Sequence, residues 1–222
     1  MILTSLRDNQ QYFWIKVPRT ATFAYHNFFI KYYDGEIGCK THDPALGELH
    51  THYTYLNLCK LYKKTLPGIS VVRNPLIRFI SGLHQLKVWA EEKKLDVSFL
   101  DNTESCIEYL TKYFNRNCSM MMNYEDMFLS EEDSFISAFF RLQISFVYHP
   151  KVKYFYYENI GEFNEWISEN LGYDISLLTR DNQSNKKLLS HIDFSDPRFI
   201  KQVENMFYDD YKILGYPLQY LT

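Results

Sequence analysis

From Tyr12 to Val17 the chain reads Tyr-Phe-Trp-Ile-Lys-Val, aromatic and β-branched residues around one lysine, which suits a buried strand. Pro18 brings no N–H to a ladder and closes the run. The apolar residues from Phe23 to Tyr32 fit a helix, so the chain turns from strand to helix at Arg19-Thr20-Ala21-Thr22. Asp34 to Gly47, with Gly35, Gly38 and Pro44, reads as an irregular connection. Leu56, Leu58, Leu61 and Tyr62 stand at roughly helical spacing before Pro67-Gly68. Gly68 to Val72 is a second apolar strand, ending at Arg73. Pro75 opens a helix whose buried side is marked by Ile77, Ile80, Leu83 and Leu86.

Val88 to Tyr113 continues as helix, with Glu91 to Lys94 as a solvated charge run. Met120 to Met122 reads as core filler. Ser130 to Phe140 has an N-cap, early acids and spaced phenylalanines, the pattern of an amphipathic helix. Ile144 to Tyr148 and Lys153 to Tyr157 read as strands broken by Pro150. Phe163 to Leu171 is a helix stopped by Gly172. Pro197 opens a last long helix that Gly215 ends. The first eleven residues read as a surface lead. The class is α/β, a single domain over residues 1–222 with a central, mostly parallel sheet flanked by helices.

Composition narrows this picture. At 222 residues the length suits one sizeable core, and aromatics at 18% make that core ring-rich. A net charge of −3 argues against general nucleic-acid binding, so any anion site is local. Cys39, Cys59, Cys106 and Cys118 show no paired or metal-finger spacing and read as reduced thiols. No charged leader with an apolar run precedes Tyr12, and no run approaches a membrane span. The expectation is a cytoplasmic protein without a membrane anchor.

Two stretches carry chemistry. A helix start leaves backbone N–H groups unpaired at the positive end of the helix dipole, and the turn at Arg19 to Thr22 adds a guanidinium and two hydroxyls. It can hold a phosphate or sulfate, or be an ordinary turn with an exposed arginine. Arg73 at a strand end, with Arg78 and Ser81 on one face of the next helix, offers two guanidinia and a hydroxyl for bidentate phosphate binding. The plain alternative is that Arg73 and Arg78 pair with carboxylates. His50 and His52 are open to three readings: metal ligands, a base with its neighbour, or polar residues at a helix start.

Arg73-x-Pro75-x-x-Arg78-x-x-Ser81 after a strand resembles the 3′-phosphate motif of sulfotransferases that use 3′-phosphoadenosine 5′-phosphosulfate (PAPS). Val17-Pro18-Arg19-Thr20-Ala21-Thr22 resembles their 5′-phosphosulfate loop, usually Pro-Lys-Thr-Gly/Ala. Leu49-His50-Thr51-His52-Tyr53 is similar to the His-x-His stretch of the heparan sulfate and uronyl 2-O-sulfotransferases. Later landmarks resemble the family too: Val152 to Ile160, Asp181 to Lys187, and Val203 to Tyr216.

The resemblance implies a P-loop-like sulfotransferase fold, PAPS as sulfuryl donor with no metal, and His52 as catalytic base beside His50. It also implies that Pro18 to Thr22 bind the nucleotide together with Arg73, Arg78 and Ser81, and that the loop 181–187 closes over it with Lys186 or Lys187 on a phosphate. The acceptor would be a carbohydrate or another hydroxylated small molecule. Two positions depart from the family pattern: Arg19 stands for the usual lysine, and Phe23 for a frequent Ser or Thr. A catalytically inactive nucleotide-binding module of the same fold is the alternative. A nucleotide kinase is disfavoured because G-x-x-x-x-G-K-[ST] is missing.

Overall fold

The computed structural model describes residues 1–33, 53–94, 96–117, 141–179 and 188–221. Among them, four strands form one mixed sheet in the order β1-β2-β3-β4: β1 (Ile2–Thr4), β2 (Gln11–Ile15), β3 (Gly68–Val72) and β4 (Val152–Tyr156). Strand β1 pairs antiparallel with β2, while β2–β3 and β3–β4 are parallel, so β2, β3 and β4 end at one edge. The opening residues, read as a surface lead, thus supply an edge strand. Ile2 and Leu3 are buried and fix it there.

Side chains alternate across β2, as a strand with two covered faces requires. Trp14 stacks on Phe163 of α6 (Ile160–Trp166) at 5.5 Å and meets Phe29 of α1 (Thr22–Tyr33) edge-on at 5.5 Å. Phe13 points the other way, to Tyr55 and Tyr62 of α2 (Tyr55–Tyr62). On that second face a Cβ at Gly68 would stand 2.9 Å from Ile15 Cδ1 and 3.0 Å from Val152 Cγ2, so a larger residue there would push the neighbouring side chains aside. Helix α6 runs on as a π-helical turn, Ile167–Leu171, stopped by Gly172 in the left-handed region at φ 73°.

Length and composition pointed to one core, and the chain divides into two compact units, each with its own apolar cluster. The sheet, α1, α2 and α6 belong to the first, made of Met1–Arg73 and Ser145–Gln183. The second, Asn74–Ile144 and Ser184–Thr222, holds α3 (Pro75–Lys93), α4 (Thr103–Asn117), α7 (Pro197–Met206) and α8 (Tyr208–Leu214). Helix α7 packs on α3 and α4.

Several boundaries differ from the sequence reading for local reasons. The helix expected through Tyr113 stops at Lys94, which turns left-handed at φ 56° and donates its N–H to the Ala90 carbonyl. Asn102 Oδ1 then accepts from Ser105 N at 2.9 Å and restarts the chain as α4. Ile77, expected inside, is 45% exposed, while Leu83 and Leu86 are buried. Ile144–Val147, read as a strand, is a helical turn, α5. The Asp210 carboxylate accepts from the N–H groups of Gln143 and Ile144 at its start, each at 2.9 Å. The last helix breaks at Phe207, whose φ of −111° separates α7 from α8. Among the described residues, no helix is long and apolar enough to cross a membrane. The helix read at 130–140, the connection at 34–47 and Met120 to Met122 lie outside the described residues.

Candidate functional site

In sheets of parallel strands, ligands bind beyond the carboxyl ends. At that edge of the first unit, β2 runs out through Lys16, Val17 and the buried Pro18 into the turn that starts α1. Arg19 and Ala21 both hold positive φ, 65° and 62°. Neither is glycine, and each left-handed residue costs about 1–2 kcal/mol. Left-handed residues in a tight turn can aim successive N–H groups toward one concavity, the arrangement of a backbone nest for anions. Thr20 Oγ1 and Thr22 Oγ1 both donate to the Val17 carbonyl, at 2.9 and 3.3 Å. The two hydroxyls expected on a phosphate thus lock the turn itself, and anion contacts there fall to backbone amides and cations.

Strand β3 delivers Arg73 to the same turn. Its Nη1 donates to the Arg19 carbonyl at 3.4 Å, and its guanidinium carbon lies 4.4 Å from the ring centre of Tyr157, the residue after β4. Three adjacent strand ends thus meet through one side chain.

The electrostatics are those of crowded cations. Burial and then the charge of Arg73 lower the Arg19 pKa to about 10, and burial lowers Lys16 to about 8. An anion beside Arg19 and Arg73 would relieve their mutual repulsion, so these two residues fit an oxyanion. Beside them Tyr25 of α1 donates to Asn164 Oδ1 at 2.5 Å; burial, then Tyr157, push its phenol up. Phe23, in the first turn of α1, is 55% exposed.

Arg78 lies in the second unit and takes the alternative that its residue type left open. Its side chain is buried, with Nη2 on the Arg141 carbonyl at 2.8 Å and 3.9 Å from Asp210 Oδ2, and it lies 5.1 Å from the Phe207 ring centre. Burial lowers its pKa to about 10 against the pull of Asp210, and burial pushes Asp210 up against the pull of Arg78 and of the Gln143 and Ile144 amides. Ser81 is half-buried one turn further along α3. His50, His52, Lys186 and Lys187 lie outside the described residues.

Lys16 and Tyr157 were not singled out in the sequence. One signal could have found them: each sits just past a strand of the parallel set, on the edge where Arg19 and Arg73 also fall. No family model matches the chain, and no curated protein or solved structure matches it.

Proposed function

We propose that the protein is a PAPS-dependent sulfotransferase with a P-loop-like sulfotransferase fold, moving a sulfuryl group to a hydroxyl of a carbohydrate or similar small acceptor. The observation that carries this reading is the Arg73 guanidinium on the Arg19 carbonyl. It brings the two stretches that resemble the nucleotide-binding motifs against one strained, cation-rich turn. Arg19 and the amides of residues 19–22 would hold the 5′-phosphosulfate end, and Arg73 the 3′-phosphate. Arginine cannot donate its proton near neutrality, but a phosphate leaving group needs stabilising charge more than a proton. As the bond from sulfur to the bridging oxygen breaks and the acceptor oxygen bonds to sulfur, the acceptor proton passes to His52, with His50 beside it. The free thiols Cys59 and Cys106 fit a reducing, cytoplasmic setting.

The test is calorimetric titration with 3′-phosphoadenosine 5′-phosphate, followed by radiolabelled PAPS with a panel of glycan and small hydroxylated acceptors. Arg73→Ala should weaken nucleotide binding by about 1.5–3 kcal/mol. Unchanged affinity would remove Arg73 from the pocket. His52→Ala should bind nucleotide normally and turn over nothing; retained turnover would remove it as base. Arg19 in place of lysine favours a second reading, a nucleotide-binding module without transfer, and binding with no labelled product from any acceptor would select it.

A further inference from the structure

Arg73 has work inside the protein that needs no ligand. Its fork reaches the Arg19 carbonyl at 3.4 Å while its guanidinium carbon lies over the Tyr157 ring at 4.4 Å, and Arg19 is held at φ 65°. A non-glycine residue stays left-handed only where its surroundings hold it there. A trans peptide is planar, with its carbonyl and the next N–H pointing opposite ways, so a donor on the Arg19 carbonyl also fixes the direction of the Thr20 N–H. A guanidinium, unlike the ammonium of lysine, can lie over a ring by its face and donate by its edge at once.

We infer that Tyr157, Arg73 and the Arg19 carbonyl form a strut from the end of β4, through the end of β3, to the turn after β2, and that it holds Arg19 left-handed. Tyr157 is then a positioning residue that acts through Arg73. The ring face does the work, since the guanidinium meets the π cloud and not the hydroxyl. Only the consequence rests on the nucleotide reading: a turn held in this form presents its amides before any anion arrives.

The measurement is the three-bond coupling between amide and α protons of Arg19, with its carbon shifts, in labelled full-length protein without ligand. It is compared among the parent, Arg73→Gln, Tyr157→Leu and Tyr157→Phe. Losing the charged donor in Arg73→Gln should shift the ratio of left-handed to other conformers at residue 19 on the order of tenfold. Tyr157→Leu should move it the same way by a few-fold, and Tyr157→Phe should leave it in place. Because Tyr157 is half-buried, the leucine and phenylalanine variants also guard against a result that merely reflects misfolding at position 73. An unchanged coupling in both Arg73→Gln and Tyr157→Leu overturns the strut, as does a shift in Tyr157→Phe equal to that in Tyr157→Leu. Titration of the parent with 3′-phosphoadenosine 5′-phosphate is read separately: absent binding defeats the nucleotide reading and leaves the strut standing.

Discussion

Arg73 and Arg78 are five residues apart, and their surroundings oppose one another. Arg78 is buried beside a carboxylate and donates to a backbone carbonyl in the second unit. Arg73 reaches toward a turn that already holds Arg19, and the two positive charges disfavour each other. Neutralised charge in an interior serves the fold. Two guanidinia brought to one strained turn are an arrangement that an arriving anion would complement. Under the proposed function, the contrast separates an arginine that serves the second unit's interior from one that would meet the nucleotide.

The strongest way to break the contrast is to remove the carboxylate. Asp210→Ala strands the Arg78 charge in an interior and takes the acceptor from the Gln143 and Ile144 amides, so unfolding free energy should fall by about 3–5 kcal/mol. Denaturant titration reads it directly. A loss under about 1 kcal/mol would mean that the pair does not hold the second unit, and the distinction between the two arginines would lapse.

Lys16 sharpens the other side. Its ordinary pKa of 10.5 falls to about 8 in the folded chain because burial penalises the ammonium. Between those values the unfolded chain binds more protons than the folded one, so stability rises with pH from about 8 to about 10.5 and is lowest below 8. At about 1.4 kcal/mol per unit, the charged lysine costs on the order of 3 kcal/mol at neutral pH. Lys16→Met should therefore stabilise the unliganded protein at pH 7 and flatten that rise. A variant that is less stable, with the alkaline rise intact, would show that the contacts of Lys16 outweigh the burial of its charge and that another group sets the rise.

How much of this was legible depends on the range of the forces involved. The run from Tyr12 into the turn at Arg19, and the step from Arg73 into the helix at Pro75, could be read because proline, β-branched residues and helical spacing act locally. The turn at Ile144 could not. Its residues suit a strand, and the group that makes it helical, Asp210, lies 66 residues away. Nor could Arg78 be told from Arg73 by residue type; burial beside Asp210 decides between them. Tyr157 escaped because its part depends on β4 running parallel to β3, which no local pattern states. Thr20 and Thr22 were read as phosphate ligands from their residue type, whereas the direction of their hydroxyls, toward Val17, follows from the fold of the turn.

The smallest effect tests whether the turn stores strain for an anion. Ala21 holds φ 62° with a Cβ that crowds the neighbouring backbone, whereas glycine adopts this region freely. Glycine also gives the unfolded chain more freedom, which works against the gain. With the left-handed cost larger than that loss, Ala21→Gly should stabilise the protein by about 0.5–1 kcal/mol, read as a higher denaturant midpoint at constant slope. The same substitution in an unstrained turn would destabilise by a similar amount, so the sign alone decides. A gain in stability with unchanged affinity for 3′-phosphoadenosine 5′-phosphate would mean that the strain is only the cost of the turn's shape. A gain accompanied by weaker binding would mean that rigidity at Ala21 keeps the amides aligned, and that the fold gives up stability at this edge of the sheet to hold them ready.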